Sequence, residues 1–184
     1  GDRINELEAL GLTLTRLREE RDRLKVETTE ETQLGRDRLI LSTLQQSVPV
    51  INSACAERFW ASFARDGCSY CVAIILIDDY LRVAETTGSK ELMLIKSTIC
   101  QILEADSQNV DQAFAMDAER IDAVLAVMRG KKGEQIELSA YLACQELRQA
   151  VLKRFGLTFT CAVGCSVDSV ADLSRSYVIA CTSA

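Results

Sequence analysis

Between Ser69 and Ile77 the chain reads Ser-Tyr-Cys-Val-Ala-Ile-Ile-Leu-Ile, without a charged side chain. Side chains alternate between the two faces of a strand, so a strand wet on one side alternates apolar with polar. This run is apolar at both parities and rich in β-branched residues, which suit a pleated, buried surface. It predicts a central strand covered on both faces. Its uninterrupted apolar part, residues 71–77, is far shorter than the roughly 20 residues of a membrane-spanning helix.

The segments around it set the class. Residues 51–63 read as a helix with Phe59, Trp60 and Phe63 available for burial, and Arg65-Asp66-Gly67 as a turn. Residues 89–105 read as a helix, 111–116 and 121–128 as strands. Arg129 to Gly133 read as a hairpin-like tip, and 134–138 as a further strand. A helix over 140–155 ends at Gly156, a C-cap signal. A strand over 157–163 and a helix over 170–184 close the chain. The expected class is α/β (α+β), a central mixed sheet flanked by helices.

Ahead of this domain the pattern changes. Leu7, Leu10, Leu14, Leu17 and Leu24 follow the alternating three-and-four spacing of a helical seam, with charged residues on the other faces. Arg21 and Thr28 interrupt it, which makes the seam short. A polar stretch, 28–33, is followed by a second stripe: Leu34, Leu41, Leu44 and Val48. Leu24 and Leu34 are ten residues apart, where heptads give seven or eleven, so the register slips between them. Pro49 biases Val48 away from helical geometry. The division expected is a coiled-coil helix over 1–49 and a domain over 50–184.

Composition excludes several kinds of chemistry. The net charge is -6, so the chain lacks the basic face that nucleic acid requires. There is no histidine, which removes imidazole as base or ligand. Ser166, Ser174 and Ser176 therefore have no Ser-His partner. The eight cysteines fall mostly in apolar patterns, where a free thiol behaves as a small hydrophobe. A reducing, cytoplasmic setting follows.

Three segments resemble the GGDEF domain of nucleotide cyclases. In the first, Val72-Ala73-Ile74-Ile75-Leu76-Ile77-Asp78-Asp79-Tyr80 runs on to Gly88, as the family's strand runs into Asp-x-Asp and a later Gly. Ala118-Glu119-Arg120-Ile121-Asp122-Ala123-Val124 occupies the place of the Gly-Gly-Asp-Glu-Phe hairpin. Phe159 to Ser166, followed by Leu173, Ser176, Tyr177 and Ala180, resembles the closing strand, glycine turn and last helix. That last pattern is similar to a diverged GGDEF-like module of membrane-bound AraC-type regulators. Asp2-Arg3-Ile4 ahead of the leucine seam looks like the tail of a HAMP helix.

The resemblance implies an inactive relative, and therefore no enzyme. An active cyclase holds two metal ions on carboxylates and grips a guanine. Leu76 stands at the first metal position, and Asp78 at the second acidic position is half a site. Ala84 stands at the guanine-binding Asn and Met93 at the following Asp. Glu119, Arg120, Ile121 and Asp122 replace the glycine-rich signature, setting a negative side chain beside the triphosphate. No catalytic residue, cofactor or metal is expected.

Other constellations have bland readings. Asp78 and Asp79 are adjacent, so on a strand they point apart and form a solvated loop mouth. Cys68 and Cys71 have redox or zinc spacing, and Cys161 with Cys165 make a second pair. On a strand the latter are ~13 Å apart, so core or surface thiols are the expectation. The Gly130-Lys131-Lys132-Gly133 tip reads as solvated, and Trp60 and Tyr177 as packing residues.

The function expected is signal relay and dimerisation. A homodimer through the N-terminal helix would pass a conformational signal from an upstream sensor to a downstream DNA-binding domain. This chain itself would touch neither nucleic acid nor membrane, and would be the cytoplasmic part of a membrane-anchored parent. The alternative is a nucleotide-binding receptor or a residual cyclase. A third reading keeps only an α/β domain with an oligomerising arm.

Overall fold

A computed structural model describes residues 34–45, 53–105, 109–118 and 122–184. The leucine seam from Leu7 to Leu24, the 28–33 slip, Val48 and Pro49 lie outside the described residues, as do Glu119, Arg120 and Ile121. The chain divides into two compact units, residues 1–38 and 39–184.

The elements in order are α1 (34–44), α2 (Ser53–Phe63), β1 (Cys68–Ile77), α3 (Tyr80–Thr87), α4 (Ser89–Ala105) and β2 (Gln112–Asp117). They continue with β3 (Ala123–Lys131), α5 (Ile136–Phe155), β4 (Phe159–Val163), a 3-10 turn (Val170–Asp172) and α6 (Leu173–Ser183). The sheet order is β2-β3-β1-β4, which puts β1 inside as its composition requires. The class is α+β, a sheet flanked by helices. All three ladders are antiparallel, where a mixture of strand directions was expected.

Alternation along β1 divides the core into two layers. Cys71, Ala73 and Ile75 face α4 and α5, meeting Ile95, Ile99, Ala140, Cys144 and Leu147. Tyr70, Val72 and Ile74 face the opposite way, meeting Ile40, Leu44, Phe63, Leu173 and Ala180 from α1, α2 and α6. Each fully buried aliphatic or aromatic side chain contributes roughly 1.5–3 kcal/mol of transfer free energy. A small third cluster of Ile77, Val83 and Leu92 holds α3 against the end of β1.

Several boundaries differ from the sequence reading. The second stripe is displaced: Leu34 is 57% exposed and Leu41 only partly buried, whereas Leu39, Ile40 and Leu44 are buried. Pairs four apart, Ile40 and Leu44, face the sheet, so domain packing selects the buried face and not the heptad. Ile40 and Leu44 thus belong to the core of the second unit, although they fall within the 1–49 segment.

The strand expected over 134–138 is a correction. Glu134 makes only an isolated bridge to Lys132, and α5 already begins at Ile136. Ile136 extends the helical spacing of Ala140, Ala143, Cys144 and Leu147 by one turn, and burying it outweighs a fifth strand. Its Cδ1 would lie 2.7 Å from a Cβ at residue 130, so Gly130 admits the helix against the sheet. The 129–133 tip is correspondingly smaller, because β3 continues through Lys131 and buries Arg129. Gly156 ends α5 in the left-handed conformation, as the C-cap signal indicated. Helix α3 was not foreseen.

Candidate functional site at the end of the central strand

The end of β1 is built by neighbours on both sides. The Ile77 N–H donates to the Asp122 carbonyl at 3.0 Å, and the Asp78 N–H donates to the Thr158 carbonyl at 3.1 Å. Asp78 and Asp79 are therefore beyond the strand, in the turn to α3, in agreement with the loop-mouth reading. Asp79 adopts φ 51, in the left-handed region where Asp is tolerated better than most residues. That turn separates the two carboxylates. Asp78 Oδ1 accepts from Thr160 Oγ1 at 2.9 Å, and Asp79 pairs with Arg82 at 3.2 Å in solvent.

Leu76 sits on the same face of β1 as Ile74, pairs with Ala123 and Thr160, and packs against the apolar cluster there. Its side chain is hydrocarbon and carries no oxygen ligand. Ala84 packs beside Ile77 and Val83 in the third cluster. Met93 is 68% exposed on α4. The structure thus brings Leu76, Asp78 and the Asp122 backbone together at one strand end. It places Ala84 over the odd-numbered face and Met93 on the surface. Thr160 is the residue that sequence reasoning missed: it lies on β4, within the closing-strand segment, but nothing in that segment marks its bond to Asp78.

Two grooves open on the domain surface, one of them beside α3. One, of about 480 Å³, lies between α3, α4 and the end of α5, lined by Arg82, Thr86, Thr87, Glu91 and Arg154 among others. The Thr86 and Thr87 hydroxyls donate to carbonyls of their own helix. The other, of about 550 Å³, is mainly apolar and lies between Leu44 and the Tyr177, Val178 and Ile179 side chains of α6.

The thiols are divided between the faces. Cys68 lies in one core layer and Cys71 in the other; Cys161 and Cys165 are split in the same way. That agrees with the packing-thiol reading, and no group of three potential metal ligands occurs among the described residues. Cys144 and Cys161, which no spacing rule pairs, have their sulfurs 2.8 Å apart. Trp60 and Tyr177 pack as expected, Trp60 also donating to Thr43 Oγ1 at 3.1 Å. The tip is tied outward through Lys132, whose side chain pairs with Asp168 at 2.9 Å and whose N–H donates to the Gly67 carbonyl at 2.7 Å.

No family profile matches the chain, and no curated protein matches it. Similar solved structures come from GGDEF-type proteins. The active GGEEF domain of a diguanylate cyclase from Vibrio cholerae is 16% identical, covering 65% of this chain and 80% of that one, with a TM-score of 0.47. A sensory box/GGDEF family protein from Caulobacter crescentus is 19% identical, covering 77% and 91%, with a TM-score of 0.41. The diguanylate cyclase SiaD from Pseudomonas aeruginosa, solved with its activator SiaC, is 17% identical, covering 98% and 75%, with a TM-score of 0.41. The α+β class rests on the chain's own elements and register.

Proposed function

We propose that this chain is a catalytically inactive GGDEF-like module that relays a signal and dimerises within a sensory transcriptional regulator. The observation that carries the reading is Leu76, whose side chain packs with apolar neighbours at the strand end where a cyclase needs a metal-binding carboxylate. Asp78, the remaining carboxylate of that pair, is hydrogen-bonded to Thr160. Ala84 contributes packing and no polar group.

The order of elements supports the family reading. Residues 72–88 form a strand, a turn and a helix capped at Gly88. Residues 122–127 enter β3 beside them, and 159–180 give a strand, a glycine-containing turn and a helix. In this reading the N-terminal seam pairs two copies, and a change in their packing reaches a downstream DNA-binding domain. The parent is membrane-anchored and this part faces the cytoplasm.

The test is incubation of purified protein with GTP and magnesium, followed by chromatography of the nucleotides. Unchanged GTP is expected; accumulation of a cyclic dinucleotide would overturn the inactive reading. A second reading, a nucleotide-binding receptor, draws on the groove that carries Arg82 and Arg154. Titration calorimetry with GTP, ATP and cyclic dinucleotides separates the two, since the relay reading expects no heat of binding from any of them.

A further inference from the structure

The thiols of Cys144 and Cys161 face each other across the packing of α5 on the sheet. Cys144 is buried on α5, and Cys161 is half-buried on β4. Their sulfurs are 2.8 Å apart, roughly 0.8 Å beyond a disulfide bond length. β4 is an edge strand, paired only with β1, so Cys161 stands beside solvent while Cys144 lies behind it.

The surroundings make the pair unequal. The hydrogen bond between the two thiols holds Cys161 below the ordinary thiol range, opposed by burial and aided by the Arg148 charge. The same hydrogen bond, with burial, pushes Cys144 up. Arg148 lies one helical turn beyond Cys144 on α5, on the same face. Cys71, the next thiol of this layer, is pushed up mainly by burial and stays protonated. Cys165 packs on the opposite face of the sheet.

We propose that Cys144 and Cys161 form a reversible thiol–disulfide pair, closed by hydrogen peroxide and reopened by a dithiol reductant, that staples α5 to the edge strand β4. The Cys161 thiolate attacks a peroxide oxygen, the O–O bond breaks, and the sulfur is oxidised to sulfenic acid. The departing hydroxide takes up a proton and becomes water. The Cys144 sulfur then gives up its proton and attacks the Cys161 sulfur, so that the S–S bond forms and the S–O bond breaks. The leaving hydroxide takes that proton. Two thiols and one peroxide thus become one disulfide and two waters. Thr160, the neighbour of Cys161, holds Asp78, so the staple ends beside the mouth of β1.

The test treats the full chain with hydrogen peroxide, blocks remaining thiols with an alkylating reagent, and maps tryptic peptides by mass spectrometry. The expected result is loss of two of the eight thiols and a link between peptides 133–148 and 155–175, reversed by dithiothreitol. The second peptide also holds Cys165, so Cys165→Ala must keep the link and Cys161→Ala must remove it. A link through Cys165 or Cys71 would overturn the proposal. So would an oxidised Cys161 with Cys144 still alkylatable. If a variant folds poorly, fragment-ion sequencing of the linked wild-type peptides assigns the bond to Cys161 or Cys165.

Discussion

Gly164 passes so close beneath Ser176 that a Cβ on residue 164 would overlap the Ser176 carbonyl oxygen. Around this contact the Gly164 N–H donates to the Val72 carbonyl at 2.8 Å, and Ser176 Oγ accepts from the Val72 N–H at 2.9 Å. β4 leaves the ladder after Val163. A hydroxyl on α6 therefore takes over the next bond of the central strand, and glycine gives the helix room to reach it.

Replacing Gly164 with alanine is expected to cost about 1–3 kcal/mol, the usual range for overpacking. Ser176→Ala leaves the Val72 N–H without its acceptor in the core and is expected to cost about 1–3 kcal/mol. Urea unfolding measures both. An unchanged midpoint for Gly164→Ala would mean that α6 does not approach this closely.

The aromatic cluster under α2 makes a second test. Phe63 is fully buried, with ring centroids 4.8 Å from Phe114, 5.6 Å from Tyr70 and 5.9 Å from Trp60. The Arg129 guanidinium lies over its ring at 5.4 Å. Phe63→Ala is expected to lose about 3–5 kcal/mol, and half-buried Phe59→Ala less. Denaturation followed by Trp60 fluorescence checks the ranking; equal losses would place the two rings in equivalent environments.

The Lys132–Asp168 pair predicts a small acid dependence. Its hydrogen bond and charge from Lys132 hold the Asp168 carboxyl below the ordinary range, with a further hydrogen bond from Ser69. A lowered folded-state value means that the unfolded chain binds the proton more readily. The contribution is therefore full well above the unfolded value of about 3.9. It declines as the pH falls below that and disappears beneath the folded value. Both side chains are exposed, so salt screens the effect. An NMR titration of Asp168 should move up toward the ordinary carboxylate value in Lys132→Met. No movement would assign the shift to other causes.

Dimerisation through the N-terminal seam is testable by light scattering over a concentration series. The deletion should remove only residues 1–33, because Leu39, Ile40 and Leu44 are buried in the core of the second unit. The full chain is expected to scatter as a dimer and the shortened one as a monomer. A monomer in both cases removes the basis for relay through paired helices.

Much of the fold was legible because it rests on local spacing. The unbroken apolar run placed β1 inside the sheet, and Gly156 marked the end of α5. α3 was missed because its eight residues bury only Val83, too little for a helical stripe. Residues 134–138 read as a strand because the partner of Ile136 is Gly130, and nothing in the spacing reveals that approach. At the mouth of β1, Leu76 and Asp78 were found from their place in a motif, but Thr160, which fixes Asp78, was not.

By itself the sequence determined most of the strands and helices, that both faces of β1 are buried, and that imidazole chemistry is absent. Those properties depend on the spacing of neighbours along the chain and on composition. Only the tertiary structure decided that β1 lies between β3 and β4, that the Ser176 hydroxyl of α6 accepts from the Val72 N–H, and that Cys144 meets Cys161. Each of these joins residues far apart in the chain. Such pairings are chosen by how whole faces pack, and no short pattern of residues encodes them.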